Sequence, residues 1–405
     1  MLFPVFMVFY GLAQAFVWHV LVVGLNLSLS GRISVGTAIF CLGLAPFLAR
    51  RLDRRGLERW GKAFSWAGYT WAGLVLLFVM ARLAADFVMK VAFMATGGVP
   101  SPAARPLSLA LTVGLTALLA IYAFIERSRI RVETIDIPTS KDIGIPGGLL
   151  IAQISDVHIG SMNGRRRIDA LVKKLRDQNP DVVVSTGDLI DSRAGLAVPA
   201  TDTLSALQPR LGKFAIVGNH EYYAGLVPAL AFMERSGFTV LRNSVVTIAG
   251  LQIAGVDDPA AARPGESAQN EARVLRTLSD RAFTILLKHR PEVLPGAETR
   301  IDLQLSGHTH KGQIFPLGLL TRLYYPAHAG LFRLTPTSHL YVSRGTGAWG
   351  PPFRLAAPPE ITLFRIGPGY PDPGGRPVPT ITSHAKTARQ TPSSPSVAAF
   401  GDRPS

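Results

Sequence analysis

A single cysteine, Cys41, stands in 405 residues. No disulfide within the chain can staple this fold, and the redox compartment stays open. Charge is also scarce: Asp, Glu, Lys and Arg make up only 17% of the chain, and the 27 acidic residues fall well short of the 42 basic ones. The net charge of +15 fits anionic partners such as lipid headgroups, nucleic acid or phosphorylated substrates. An Arg-rich composition with a basic tail produces the same figure without function. No Walker-type phosphate loop, no serine-nucleophile elbow and no internal repeat occurs, which removes three common enzyme and scaffold readings.

Apolar sequence is abundant, and it is concentrated at the start. Residues 2–29 carry no charged side chain apart from a possible charge on His19, and about 20 such residues span the hydrocarbon core. The segment lacks the basic start and small-residue cleavage site of a signal peptide. Ile33–Ala49, Ala63–Ala81 and Pro106–Ile125 are three further candidate spans. Arg82, Asp86 and Lys90 follow at four-residue intervals and share a helix face, which predicts a helix running past the third apolar run. Arg50, Arg51, Arg54, Arg55, Arg59 and Lys62 crowd one connection, and Arg127, Arg129 and Arg131 follow the last run. With four spans both clusters lie on one side, and the positive-inside rule makes that side cytoplasmic. The expectation is a multi-pass inner-membrane region over 1–130 with a cytoplasmic domain behind it.

From about residue 132 the pattern changes to short apolar runs that end in polar residues. They are LLIAQISDVH (149–158), DVVVSTGD (181–188), KFAIVGNH (213–220), LQIAGVDD (251–258), FTILLKH (283–289) and DLQLSGHTH (302–310). Such runs read as strands buried on both faces. Ile168, Leu171, Val172 and Leu175 lie at helical spacing between the first two. Strand and helix therefore alternate, which predicts an α/β domain.

Ligands in α/β sheets bind at the carboxyl ends of strands. Five of these ends deliver Asp156 with His158, Asp188, Asn219 with His220, His289, and His308 with His310. Asp156/His158 and His308/His310 are both i, i+2 pairs, and on extended backbone such residues point to one side. The two pairs are therefore expected to converge on a cation. Carboxylate, imidazole and amide donors without thiolate suit Mn, Fe, Zn or similar ions. Seven groups exceed one tetrahedral zinc and suit two divalent ions bridged by a shared carboxylate, with Asp188 the natural bridge.

These blocks, in this order, resemble the calcineurin-like metallophosphoesterase superfamily: D-x-H at Asp156–His158, G-D at Gly187–Asp188, G-N-H-E at Gly218–Glu221, the lone His289, and G-H-T-H at Gly307–His310. SGHTHKGQ, RGTGAWGPPFR and APPEITLFRI look like the bacterial branch in which such a domain follows membrane segments. The resemblance covers about 145–366 and implies a two-sheet sandwich flanked by helices. It also implies that Asp156, His158, Asp188 and His310 hold one metal, and that Asp188, Asn219, His289 and His308 hold the other. His220 would act at the leaving group, paired with a carboxylate such as Glu221 or Asp191, and metal-bound water would be the nucleophile. Lys311 stands where this branch commonly has glycine.

Three residues are candidate substrate contacts: Arg165 at the start of the first helix, Lys311, and Trp349 in the Gly/Pro-rich loop 344–354. From about Gly367 to the end, Pro, Ser, Thr and Gly dominate, which predicts disorder. The resulting expectation is a membrane-anchored phosphoesterase acting on a lipid-linked or nucleotide-sugar-lipid phosphate or pyrophosphate. Its partners are the bilayer and that substrate, with no obligate nucleic acid or protein. A nuclease or cyclic-nucleotide phosphodiesterase uses the same metals, and a non-catalytic membrane sensor uses the same fold for binding.

Overall fold

Each of the four long apolar segments becomes a helix. The computed structural model describes residues 2–97, 105–191, 200–261, 263, 265–370 and 379–381. In it α1 runs Leu2–Gly24, α2 Leu29–Arg54, α3 Glu58–Thr96 and α4 Arg105–Ser128, all long and apolar enough to cross a membrane. The Ser28 side chain caps α2 by accepting from the Gly31 N–H. α3 continues unbroken through the charged stretch, where Arg82 Nε donates to Asp86 at 2.9 Å. Val17, Val20, Ile39, Val75, Phe78 and Leu109 pack the bundle's interior. Phe9, Phe40, Phe87 and Leu118 stay exposed around its outside, an apolar belt far beyond what a water-soluble surface carries.

The domain behind the bundle follows in the order β1 (Arg131–Pro138), β2 (Leu149–Ile154), α5 (Arg165–Gln178), β3 (Val182–Thr186), α6 (Thr201–Ser205), β4 (Lys213–Ile216), α7 (Asn219–Ala224) and α8 (Leu226–Arg235). β5 (Thr239–Val240), β6 (Ser244–Ile248), β7 (Leu251–Gly255), α9 (Glu266–Arg276), β8 (Phe283–Leu287) and β9 (Leu303–Ser306) come next. α10 (Leu317–Tyr324), β10 (Gly330–Arg333), β11 (His339–Val342) and β12 (Glu360–Gly367) complete it. The strands form two six-stranded sheets, ordered β1-β12-β2-β3-β4-β5 and β10-β11-β9-β8-β7-β6. β1 pairs with β12 from Arg131 onward, so the sheet starts ahead of the boundary expected near 145.

Strand residues alternate between two cores, as a period of two requires. Ile151, Val182, Val184, Ile216, Ile253, Ile285 and Leu305 fill the space between the sheets. Ala152, Val183 and Ala215 face Ile168, Leu171, Val172 and Leu175 of α5 on the outer side. Each fully buried Val, Leu or Ile contributes about 1.5–3 kcal/mol, which explains why these runs are apolar on both faces.

β2, β3 and β4 are parallel in the first sheet, and β7, β8 and β9 in the second. Their carboxyl ends meet at one end of the sandwich. Gln153 ties the sheets together there, donating through Nε2 to Thr186 Oγ1 at 2.9 Å and to the Ser306 carbonyl at 3.0 Å.

The bundle packs directly against that same end. Leu77 of α3 and Ala123 of α4 share a buried cluster with Ile314 and Phe353 of the domain. Arg127 Nη2 donates to the Met162 carbonyl at 2.7 Å and to Asn163 Oδ1 at 2.9 Å. Asn163 Nδ2 donates onward to the His158 carbonyl at 3.0 Å. The predicted disorder from 367 onward mostly concerns residues outside those described. Within the described ones, Gly367 closes β12, and Arg333 and Ile381 N–H groups bond Pro379 and Arg333 carbonyls at 3.0 Å.

Candidate metal centre

Six of the seven predicted donors converge, and the seventh, Asn219, precedes His220, whose N–H bonds Asp188. Asp156, His158 and His310 form one group and Asp188, His289 and His308 a second, the ligand atoms of each lying within 4.8 Å of one another. Asp188 Oδ2 lies 3.3 Å from His289 Nε2 and 3.9 Å from His158 Nε2, so one oxygen faces both groups. The i, i+2 pairs therefore do not each serve one point: His310 joins Asp156 and His158, whereas His308 turns toward His289 at 3.2 Å.

The predicted reason for convergence needs correcting. Neither pair is on extended backbone. Asp156, His158, Asp188, His308 and His310 all take left-handed φ, between 49° and 69°. The left-handed region costs an L-residue roughly 1–2 kcal/mol, and such strain gathers at functional sites. Convergence comes from these five left-handed residues, set in the three loops just past the ends of β2, β3 and β9. Two glycines make room for them. A Cβ on Gly187 would lie 2.6 Å from His289 Nδ1, and one on Gly218 would collide with Asp188 Oδ1.

Hydrogen bonds aim the donors. His289 Nδ1–H donates to the Thr186 carbonyl at 2.8 Å, which turns Nε2 toward the site. The His308 N–H donates to Asp156 at 3.1 Å, and the His220 N–H to Asp188 Oδ1 at 2.9 Å.

Burial would raise the Asp188 carboxyl, but His289 and His220 outweigh it and hold it well below the usual range. Burial lowers the imidazoles in turn. Asp188 then carries His289 up to about 10, whereas His308, beside His289 and Arg290, is pushed down to about 3. Burial also pushes His310 down to about 4 despite Asp156. His308 and His310 are thereby held neutral, each with one unprotonated ring nitrogen.

The donor set fits divalent cations. Asn219 Oδ1 is buried with no hydrogen-bond partner, a loss of about 1–3 kcal/mol that a cation would relieve. His158 and His310 bring their Nε2 atoms to 3.0 Å, a separation that an N–H···N hydrogen bond spans, with the proton on His310 because its Nδ1 accepts from Arg354.

His220 lies beside the first group, its ring 4.7 Å from that of His158, and with His158 and Asp191 it makes a third set of potential ligand atoms within 4.8 Å of one another. Its Nδ1 lies 2.7 Å from Asp191 Oδ1 and its Nε2 4.0 Å from Asp188 Oδ2. Of its two candidate carboxylate partners, Asp191 is the one it meets. Glu221 does something else: buried, it accepts from the Gly218 N–H at 2.7 Å and from the Asp188 and Ile190 N–H groups at 3.0 Å. It clamps the β3 and β4 loops together. Glu221→Ala leaves three buried N–H groups unsatisfied, at about 1–3 kcal/mol each. We expect a clear fall in Tm and loss of metal affinity; an unchanged melting curve would contradict the clamp.

The candidate substrate contacts separate. Trp349 is at the site, its ring 5.9 Å from His220, and Tyr223 flanks the same imidazole at 5.4 Å. Arg165 is exposed and lies 3.9 Å from Asp169 on its own helix. Arg165, Arg166 and Arg167 open α5, and the inward one is Arg167, which donates to the Arg127 and Thr346 carbonyls at 2.8 and 2.9 Å. Lys311 takes a left-handed φ of 53°, the conformation for which glycine is the easier residue.

Arg354 lies outside the five blocks that carry the metal donors, yet it supports the centre. It is wholly buried, and its guanidinium donates to the Arg344, Ala357 and Gly347 carbonyls and to His310 Nδ1 at 3.0 Å. Its only signal in the sequence is a place at the end of the Gly/Pro loop.

Comparison with known proteins agrees with this geometry. The family model for calcineurin-like phosphoesterase matches residues 149–312. An uncharacterized metallophosphoesterase of Aquifex aeolicus is 38% identical over 257 residues, 62% of this chain and 97% of that protein. One from Campylobacter jejuni is 32% identical over 334 residues, 81% of this chain and 87% of its own length. A transmembrane protein with metallophosphoesterase domain from Danio rerio is 35% identical over 267 residues; this chain spans only 61% of that protein's length, using 62% of its own. With its motif blocks gathered at the ends of two packed sheets behind four long apolar helices, the chain belongs to the calcineurin-like metallophosphoesterase family.

Proposed function

We propose that the chain is a membrane-anchored hydrolase that cleaves a phosphate ester or pyrophosphate bond in a lipid-linked substrate. The observation that carries the hydrolytic part is Asp188 Oδ2 facing both donor groups, with the His220–Asp191 pair beside it. Asp156, His158, Asp188 and His310 would hold one divalent cation, and Asp188, Asn219, His289 and His308 the other. Such a pair supplies positive charge to a phosphoryl transition state and makes water nucleophilic near neutral pH.

The protein's own residues supply the rest. Asp191 and Asp188 outweigh the effect of burial on His220 and hold it at about 9, so its imidazole is a proton donor for a departing oxygen. Trp349, 46% exposed, offers an apolar face beside that position. The lipid part rests on the bundle touching the site end of the domain. The charged connection after α2 lies at the domain's end of the bundle, since Tyr69 faces both Arg50 and Asp191, and the domain follows α4 directly; by the positive-inside rule this supports a cytoplasmic site.

The test is hydrolysis by full-length protein with added Mn²⁺, comparing total membrane lipid with single-stranded oligonucleotides. Release of water-soluble phosphate product from lipid alone supports the proposal. Cleavage of oligonucleotides alone assigns a nuclease instead, and no turnover of either leaves the sensor reading.

A further inference from the structure

A short helix beside the site presents an apolar face that no described residue covers. α10 reads LGLLTRLY, and Leu319, Leu320 and Leu323 are 59%, 63% and 73% exposed. At 3.6 residues per turn, Leu319, Leu323, Leu320 and Tyr324 fall within an arc of about 140°. Gly318 lies on the other side, packed so closely on the loop after His310 that a Cβ on Gly312 would collide with it. The leucine face therefore points away from the domain.

Contiguous apolar surface of this kind marks a docking face, and two observations identify what docks. The first is continuity. Ile314, three residues before α10, packs with Leu77 of α3 and Ala123 of α4. On α4 next to that contact, Leu118, Ile121 and Tyr122 are themselves exposed, so α10 begins where the domain meets the outer, apolar flank of the bundle. The second is composition. α10 contains no acidic residue, its one charge is the exposed Arg322, and it ends in tyrosine. Leucine on one side, with basic and aromatic residues at the margin, is the make-up of a helix lying in a membrane interface. Tyr325, the next residue, packs edge-on against His308 at 5.6 Å. A helix seated in the leaflet would hold the metal centre at headgroup depth.

We propose that α10 is a second membrane contact, lying in the leaflet beside the bundle with its leucines among the acyl chains. The proposal rests on the membrane-anchored reading above, and it assigns the lipid surface as the partner of this face. It is tested on full-length protein carrying C41S, with one bimane-labelled cysteine introduced by L320C or L323C. The protein is reconstituted in phosphatidylethanolamine–phosphatidylglycerol vesicles containing doxyl-labelled lipid. R281C, exposed elsewhere on the domain, serves as the aqueous reference. Quenching at positions 320 and 323 several-fold above that at 281 is expected. Equal quenching at all three positions places the helix in water and overturns the proposal. Labels shielded from doxyl lipid, with disulfide-linked dimers of L320C, assign the face to a second copy and overturn it equally.

Quenching needs no turnover, so its failure is separate from failure of the hydrolytic reading. A second variant, L320D, adds a kinetic readout. Hydrolysis of a soluble chromogenic diester should stay at the parental rate, while that of a vesicle-embedded phosphodiester falls by about tenfold as one leucine's burial is lost. An equal fall on both substrates would make the helix a folding element and refute its lipid role.

Discussion

Asp188→Ala is expected to lose hydrolysis of a chromogenic phosphodiester by on the order of a thousandfold or more, since several kcal/mol of transition-state stabilisation depend on the metals it would share. One side chain here does two jobs. Its Oδ2 stands 3.3 Å from His289 and 3.9 Å from His158, between the two donor groups. Its Oδ1 accepts from the His220 N–H at 2.9 Å and so anchors the start of α7. Removing it both separates the groups and frees the loop that carries Asn219 and His220. Metal content per chain, measured after dialysis, should fall along with the rate. A variant that keeps the parental metal stoichiometry and turnover would show that Asp188 bridges nothing. Asp188→Asn preserves shape and removes charge, so it should retain the fold and still lose metal.

His220→Ala is expected to reduce kcat by about 10²–10⁴-fold, the usual contribution of a positioned general acid, with metal content unchanged. The loss should depend on the leaving group. A nitrophenolate departs without a proton, whereas an alkoxide needs one, so alkyl esters should suffer far more than nitrophenyl esters. Asp191→Asn should show the same pattern at smaller amplitude, because Asp191 holds the ring through Nδ1 at 2.7 Å; its Oδ1 also lies 3.6 Å from His158 Nδ1, so a modest fall in metal content should accompany it. The pH dependence follows in sign. Burial lowers His220, and Asp188 and Asp191 more than restore it to about 9. The donor is therefore protonated below that value and its contribution disappears as pH rises through it. Bound cations repel the proton and move this alkaline limb downward. Equal losses on both ester classes, or a parental alkaline limb in His220→Ala, would remove the proton-donor role.

Much of the centre is legible in the amino-acid sequence, and the reason is local. Asp156, His158, Asp188, Asn219, His289, His308 and His310 each follow a short apolar run. Strand identity is written in such runs because both faces are buried, as Val182, Val183 and Val184 show by dividing between two cores. The four apolar helices are legible for the same reason, since length and hydropathy within one segment are enough.

Other features depend on residues far apart in the chain, and only folding brings those together. His308 and His310 are near neighbours in sequence yet belong to different groups, because left-handed turns swing them to opposite sides. Glu221 and Asp191 are equal candidates for His220 by sequence. The partner is Asp191 because Glu221 lies where three N–H groups of the β3 and β4 loops converge. Arg354 reaches His310 from 44 residues away, and Arg127 reaches the loop below His158 from 36. Donor type and order are thus properties of short segments of this chain. Which donor meets which, and that the apolar bundle presses against the metal end of the sandwich, are set by contacts between the two sheets and α3 and α4, which no short segment specifies.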